Sequence, residues 1–275
     1  MNALTVQNLT KHYPRFTLDS VSFSVEEGSV TGLIGANGAG KSTTIKAILG
    51  LISCEGEATA FGVSRKSSGK FKSLVGYAGG GFRYYPQKKI KTVAECVKAF
   101  YAEWNGEKFA RLLQKYELDE NKKIAELSEG MKVKFALALA LSHGAKLLIL
   151  DEPTSGLDPL SREEFCDAVL ELVREEGVSV LFSTHITSDL TRIADSVVYL
   201  SRGKVLAAEP LNGLLEKYSV AHFEKQPNAP VIGLKTEKEG FCGLIKRGEN
   251  IKGATLSEPT LDEIMVHPEW ERRQK

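Results

Sequence analysis

Residues 35–43 read GANGAGKST and match the pattern G-x-x-x-x-G-K-[ST]. A short apolar run at residues 30–35 predicts a buried strand before them, and Ile45, Ile48 and Leu49 follow at helical spacing. A strand, a glycine-rich loop and a helix N-terminus together favour phosphate binding, because backbone N–H groups and the positive end of the helix dipole face the anion. A plain glycine-rich turn before a helix is the alternative interpretation.

The residues of this phosphate loop have separate predicted tasks. Its glycines let the backbone approach the phosphates, Lys41 would reach the β- and γ-phosphates, and Ser42 would ligate Mg²⁺. The residues predicted to contact the phosphates are Gly35, Ala36, Asn37, Gly38, Ala39, Gly40, Lys41, Ser42 and Thr43.

In LLILDEP, at residues 147–153, an apolar run of four residues is followed by two adjacent carboxylates. Charged groups at the end of a buried strand are costly unless they are paired or used. Asp151 can hold Mg²⁺ through water, and Glu152 can act as the general base that polarises an attacking water. Asp-Glu-Pro is also good turn chemistry, so a plain strand end is the alternative.

The surrounding sequence predicts an α/β protein with a parallel sheet. Short apolar runs at residues 147–150, 178–183 and 196–200 are separated by helical patterns. Asp158, followed by proline, marks the start of one helix, and Gly177 marks its end. Ligands of such sheets bind at the carboxyl ends of the strands, where the phosphate loop and the carboxylates are predicted to lie.

Three further parts surround this framework. Residues 3–9 and 18–25 alternate apolar and polar, which predicts a small antiparallel β layer. Helical patterns across residues 83–143 predict an inserted all-helical part, with one helix around Val93, Val97, Phe100 and Tyr101. From about residue 206, short strand candidates and a closing helix around TLDEIM predict a small C-terminal appendage.

The composition is that of an ordinary globular protein. The 275 residues carry 36 Lys and Arg against 35 Asp and Glu, which excludes an acidic disordered tail and a strongly basic nucleic-acid binder. The N-terminal stretch lacks a signal-peptide pattern and no apolar run would span a bilayer, so we expect a cytosolic location. The well-separated cysteines predict scattered core thiols: Cys54, Cys96, Cys166 and Cys242.

Five motifs in one order resemble the nucleotide-binding subunits of the ATP-binding cassette (ABC) family. They are the phosphate loop (Walker A), the signature loop LSEGM at residues 127–131, LLILDEP, the D-loop SGLD at residues 155–158 and the switch motif STH at residues 183–185. The resemblance implies a P-loop NTPase with a RecA-like parallel sheet, an N-terminal antiparallel β subdomain and a helical subdomain at about 83–143. We therefore expect an ATPase domain at 1–205 and an accessory segment at 206–275.

The resemblance also implies roles for individual residues. Tyr13 would stack on adenine, with a partly buried strand-end tyrosine as the alternative. Ser128 and Gly130 would close on the γ-phosphate bound by the opposite subunit, and Asp158 would couple the two sites of a dimer. His185 would hydrogen-bond the γ-phosphate and hold water and the general base in line. The implied catalytic set is Glu152, His185 and Lys41, and the implied Mg²⁺ ligands are Ser42 and Asp151.

The sequence departs from the family pattern at two places. Glu129 and Met131 stand where the signature usually has glycine and glutamine, which we interpret as a subfamily mark. The glutamine expected after VGY is missing, because its position in VGYAGGGFRYYPQ falls on Gly80 or its neighbours, and Gln87 lies seven residues late. Three consecutive glycines predict a mobile loop in the segment that meets the membrane subunit in relatives.

These observations predict the ATPase subunit of an exporter that uses ATP and Mg²⁺. Two cassettes, as a homodimer or a heterodimer, would close on two ATP and drive a separate membrane subunit from the inner face of the cell membrane. Long segments resemble the bacterial subfamily that exports antibiotics, antimicrobial peptides or amphipathic toxins such as phenol-soluble modulins.

Two other function classes are alternatives. A nucleotide-sensing regulatory module with weak hydrolysis would explain the missing glutamine, although the retained Glu152 and His185 argue against it. A soluble cassette protein acting on ribosomes or DNA is disfavoured by the near-zero net charge and by the lack of coiled-coil heptads.

Overall fold

The computed structural model describes residues 1–79 and 85–274. In chain order the strands are β1 (Asn2–Tyr13), β2 (Phe16–Glu26), β3 (Val30–Ile34), β4 (Glu55–Ala60), β5 (Val63–Ser64), β6 (Val75–Gly79), β7 (Leu147–Asp151), β8 (Ser179–Thr184), β9 (Ser196–Ser201), β10 (Lys204–Pro210), β11 (Tyr218–Phe223), β12 (Ile232–Glu237), β13 (Gly240–Lys246) and β14 (Ala254–Ser257). The helices are α1 (Lys41–Ile48), α2 (Ser68–Leu74), α3 (Ile90–Lys98), α4 (Gly106–Lys115), α5 (Glu129–Ser142), α6 (Pro159–Glu176), α7 (Thr187–Ile193), α8 (Leu211–Leu215) and α9 (Leu261–Gln274), with a short 3-10 helix at Ile124–Glu126.

The central sheet has the strand order β10-β9-β3-β8-β7-β6. Its strands β9, β3, β8, β7 and β6 run parallel, and β10 is an antiparallel edge strand. The strands β3, β7 and β8 are buried along their whole length, which explains why they appear in the sequence as unbroken apolar runs. Their carboxyl ends lie side by side and form the edge that carries the site.

A second sheet, ordered β2-β1-β4-β5, covers one face of the first α/β unit. Strands β1 and β2 form the antiparallel pair expected from their alternating pattern, with Leu4 opposite Val25 and Val6 opposite Phe23. Their apolar side chains share one core with Ile45 of α1. Strand β4 adds to the edge of β1, a long-range pairing that its sequence EGEATA did not predict.

The helices α3, α4 and α5 follow one another between β6 and β7. Helix α5 is buried over most of its circumference and carries Phe135 and Leu139 into the main core. The expected helix through Phe100 and Tyr101 ends earlier, at Lys98, and Phe100 is 86 % exposed.

A third sheet, ordered β12-β13-β11-β14, begins at Tyr218. Strand β10 continues the central sheet from Lys204 to Pro210, past the division expected at residue 205. Helix α9 connects the third sheet to the central one, because Tyr199 Oη of β9 donates to the Met265 carbonyl at 3.1 Å.

Two other expectations concern membrane spans and cysteines. Across residues 1–79 and 85–274, no helix combines the length and the apolar character needed to cross a bilayer. The cysteines are free, with Cys166 and Cys242 buried, but Cys96 is exposed and is therefore not the core thiol that was expected.

Candidate active site

The phosphate loop connects β3 to α1 and requires glycine at two positions. A Cβ on Gly35 would lie 2.2 Å from the Leu200 carbonyl oxygen. Gly40 has a φ of +113°, and a Cβ there would lie 2.8 Å from Phe16 Cζ. A hydrogen bond also joins the two ends of the loop, because the buried Lys41 Nζ donates to the Gly35 carbonyl at 2.8 Å.

Glu152 lies between the phosphate loop and the switch histidine. Its Oε1 is 3.3 Å from Lys41 Nζ, and its Oε2 is 2.7 Å from His185 Nδ1. The backbone explains this position: Glu152 has a φ of +52°, and its N–H donates to the Ser183 carbonyl at 2.9 Å. A left-handed conformation at a residue other than glycine costs free energy and is concentrated at functional sites.

Asp151 lies next to this cluster and is almost fully buried. Its Oδ1 accepts a hydrogen bond from Ser183 Oγ at 3.0 Å, across the register that pairs Asp151 with Ser183. A carboxylate has about four acceptor positions, so this bond leaves room for further partners. Ser42, in the first turn of α1, is exposed to solvent. A carboxylate and a hydroxyl are both oxygen ligands of the kind that Mg²⁺ prefers, so the residues fit this ion.

A cavity of about 730 Å³ unites the phosphate loop with Glu152 and His185. Most of its lining was predicted from the motif, namely Ala36, Asn37, Gly38, Ala39, Gly40, Lys41, Ser42 and Thr43. The structure adds Ser155 of the D-loop and two residues outside the motifs, Arg15 and Phe16. Arg15 lies in the turn between β1 and β2, and Phe16 begins β2, so their nearness to the loop depends on how the second sheet packs on α1.

Tyr13 lies at the end of β1, close to this cavity. Its ring is 6.4 Å from the ring of Phe16, and Lys11 Nζ is 5.6 Å from the centre of the Tyr13 ring. Phe16, rather than Tyr13, contributes to the cavity lining. Stacking of Tyr13 on adenine therefore stays a prediction, and Phe16 is a second candidate for the same contact.

Ser128 and Gly130 of the signature loop and Asp158 of the D-loop lie outside the cavity lining. Ser128 caps α5 by accepting from the Met131 N–H at 3.2 Å, and Asp158 caps α6 by accepting from the Ser161 N–H at 3.0 Å. Hydrogen bonds from Ser161 lower the pKa of Asp158. A Cβ on Gly130 would be 3.7 Å from Ser161, in the helix turn that follows the D-loop. The signature loop and the D-loop, far apart in sequence, therefore share one surface.

The region of the missing glutamine is only partly described. Gly79 ends β6 directly opposite Asp151, whereas Gly80 and Gly81 lie outside the described residues, as does most of the loop predicted to be mobile. Gln87 is exposed, with its Oε1 3.5 Å from Lys123 Nζ, and it is not part of the cavity lining. Glu129 of the altered signature pairs with Lys132 at 2.6 Å.

The parallel sheet, the phosphate loop on α1 and the paired carboxylates after β7 define a P-loop nucleotide-binding cassette. A family model described as ABC transporter matches residues 18–155. The chain therefore belongs to the ABC transporter ATP-binding proteins, which confirms the family and the fold expected from the five motifs.

Individual relatives agree with this assignment. The chain is 36 % identical over 213 residues to the probable multidrug ABC transporter ATP-binding protein YbhF of Escherichia coli (strain K12), covering 74 % of this chain but 36 % of that protein. This chain thus spans about a third of the length of that relative. It is 32 % identical over 220 residues to the lantibiotic transport ATP-binding protein SrtF of Streptococcus pyogenes, covering 76 % of this chain and 92 % of that protein. A dimeric structure of MJ0796, a bacterial ABC transporter cassette, superposes with a TM-score of 0.66 at 25 % identity, covering 76 % and 98 % of the two chains.

Proposed function

We propose that this chain is the ATP-hydrolysing subunit of an ABC exporter. The observation that supports hydrolysis most directly is the bridging of Lys41 and His185 by Glu152, at 3.3 Å and 2.7 Å. This arrangement holds a carboxylate between a phosphate-binding cation and an imidazole, which is where a general base for an attacking water is needed.

The residues would divide the chemistry as follows. Lys41 would bind the β- and γ-phosphates, and a phosphate at its ammonium would compete with Glu152 for this partner. Glu152 would then remain oriented by His185 and accept the proton of the attacking water. Ser42 and Asp151 would hold Mg²⁺, which when bound neutralises charge on the phosphates.

A second cassette would complete each site. Ser128, Gly130 and Asp158 share one surface outside the cavity, as expected for groups that act on nucleotide bound to another subunit. The MJ0796 cassette is dimeric, which supports the same arrangement here. The partner would be a second copy or a similar cassette.

A docking groove for the membrane subunit lies between the central sheet and the helical insertion. This groove of about 770 Å³ has mainly apolar walls and includes the strongly exposed side chains of Leu51, Tyr85 and Phe100. An exposed apolar patch of this kind marks an interaction site. Lys72 and Lys88 add positive charge to the lining. We propose that the docking groove binds a short amphipathic helix of the membrane subunit, with an acidic residue beside the apolar face of that helix.

The docking groove can be tested with a matched pair of variants. Leu51→Ser should weaken co-purification with the membrane subunit, because it removes apolar area from the contact. Leu256→Ser alters a similarly exposed leucine in the third sheet and should leave the complex intact. Equal retention of the complex by both variants would show that the partner binds elsewhere.

The cargo class is proposed as antibiotics, antimicrobial peptides or amphipathic peptide toxins. The likeness to a lantibiotic transport protein over nearly all of that protein's length supports this class. Expression of this chain with its membrane subunit should lower the susceptibility of a host to such a peptide, and a Lys41→Ala complex should not. A host equally susceptible with either complex would contradict an export role for this cargo.

Hydrolysis itself is tested by steady-state ATPase assays on the chain alone and in its complex with the membrane subunit. We expect measurable turnover that rises in the complex. Lys41→Ala should weaken ATP binding, measured by calorimetry, because a cation that contacts phosphate in the ground state is lost. Tight ATP binding without hydrolysis in either preparation would favour the regulatory alternative instead.

A further inference from the structure

Tyr77 lies on an edge strand of the central sheet, on the face that carries the nucleotide site. In the register of β6 with β7, Tyr77 is opposite Ile149 and Gly79 is opposite Asp151. Side chains of directly paired residues in a parallel sheet point to the same face, and every second residue shares that face. Tyr77 and Asp151 therefore project from the same side of the sheet.

The phenol of Tyr77 runs along β6 toward the carboxyl end of the sheet. A Cβ built on Gly79 would lie 2.1 Å from Tyr77 Oη and 2.6 Å from Cζ, so the phenol fills the space that any side chain at position 79 would need. Neighbouring strands are about 4.8 Å apart, which places the hydroxyl about one strand spacing from the Asp151 backbone. A tyrosine hydroxyl keeps its proton at neutral pH, because its ordinary pKa is about 10.

The same side chain also belongs to the docking groove. Tyr77 is 42 % exposed, and it lines the groove together with Leu49 and Lys72. The ring is thus partly accessible to a bound helix, while the hydroxyl lies near the Asp151 end of β7. Gln87, by contrast, is not among the residues that line the docking groove.

We infer that Tyr77 is a positioning residue that connects the docking groove to the nucleotide site, an inference that rests on the proposed ATPase function. Its hydroxyl hydrogen-bonds a water held at Asp151, because a phenol can both donate and accept. A helix bound in the docking groove restricts the ring, and so fixes the direction of this bond. In this way the chain compensates for the glutamine that its sequence lacks.

The first test removes only the hydroxyl, by Tyr77→Phe. We expect ATP turnover in the complex to fall about tenfold, the effect of losing one hydrogen bond in the site. A second readout does not depend on hydrolysis: the Mg²⁺ concentration for half-maximal binding of a non-hydrolysable ATP analogue should rise about tenfold, as for other groups that orient metal ligands. Binding of the analogue without Mg²⁺ should not change. Tyr218→Phe, in β11 of the third sheet, is the matched control and should behave as the wild type.

The second test uses Gly79→Ala, which must displace the phenol. This variant should reproduce the higher Mg²⁺ requirement in the wild-type background, and it should add little in the Tyr77→Phe background, because both changes remove the same contact. Thermal unfolding of each variant monitors folding.

The outcomes separate the two proposals. A wild-type complex that binds ATP without hydrolysing it overturns the proposed ATPase function. A hydrolysing complex in which Tyr77→Phe keeps wild-type turnover and Mg²⁺ dependence overturns the role of Tyr77 and leaves the ATPase function in place.

Discussion

At the scale of single residues, Glu152 combines a costly backbone conformation with two charged or polar partners. Its left-handed φ of +52° turns the carboxylate back toward Lys41 and His185 instead of onward along β7. Lys41 and Glu152 are both largely buried, so each group would be destabilised without the other. Local sequence preferences do not favour this conformation at a glutamate, which makes it an indication of function.

Glu152→Gln should leave ATP binding intact and lower turnover by about 10²- to 10³-fold, because the amide keeps the shape of the side chain but cannot accept a proton. Since closure needs the γ-phosphate and reopening needs its hydrolysis, the variant should accumulate as an ATP-bound dimer. Size-exclusion chromatography with Mg-ATP measures this, with the exposed Glu55→Gln as control. A variant that stays monomeric with ATP bound would contradict the dimer model.

His185→Ala should lower turnover about 100-fold while changing ATP affinity little, because the imidazole orients Glu152 and the phosphate loop supplies most of the binding. Parallel measurement of turnover and of ATP affinity separates the two effects. His12→Ala, at an exposed position of β1, serves as the control. A comparable loss of affinity and turnover would indicate a structural histidine.

At the scale of elements, the helices that were best predicted are those with clear end signals. Helix α6 begins after Asp158, whose side chain caps it, and ends before Gly177, which has a φ of +64°. Helix α3 lacks such a signal, and its apolar pattern continues through Phe100 although the helix ends at Lys98. Phe100 instead lines the proposed docking groove, so the apolar pattern there does not mark a longer helix.

Helix α4 gives a stability prediction for the helical insertion. Asn105 Oδ1 accepts from the Lys108 N–H at 2.8 Å and caps this helix. Asn105→Ala should lower the free energy of unfolding by about 1 kcal/mol, and Asn105→Ser should restore most of it, because serine also caps helices. Urea unfolding measures both values. An Asn105→Ala variant as stable as the wild type would mean that the cap contributes nothing measurable.

At the scale of the whole molecule, α9 joins the third sheet to the ATPase core. His267 of α9 is buried, and its Nδ1 is 2.7 Å from the Gly233 carbonyl in β12. On the other side of the helix, the Met265 carbonyl accepts from Tyr199 of β9. The third sheet and α9 are therefore packed against the cassette, and we propose that they form an accessory segment whose position follows α9.

The buried His267 predicts a dependence of stability on pH. Burial lowers its pKa below the usual 6.5, and the hydrogen bond with Gly233 opposes this shift only in part. The unfolded chain thus binds the proton more readily, so this contribution to stability is complete above about pH 6.5 and is lost as the pH falls. Burial lowers the pKa of His143 as well, so this residue also contributes to the loss of stability as the pH falls.

Melting temperatures measured from about pH 5 to 8 test this dependence. The wild type should lose stability below about pH 6.5, and His267→Gln should reduce the slope, because glutamine can keep the hydrogen bond but does not titrate there. His12→Gln is the exposed control. An unchanged slope in His267→Gln would assign the pH dependence to other groups.

The sequence by itself determined the phosphate loop, the strand that ends in Asp151, the caps of α6 and the alternating pair β1 and β2. These features depend on backbone preferences and side-chain periodicity within a few residues, so they can be read locally. Only the tertiary structure decided that Glu152 lies between Lys41 and His185, that Phe16 lines the cavity and that the phenol of Tyr77 fills the space beside Gly79. The first two of these arrangements join segments separated in sequence, and they are set by the register of parallel strands and the packing of one sheet on another, which no local pattern encodes.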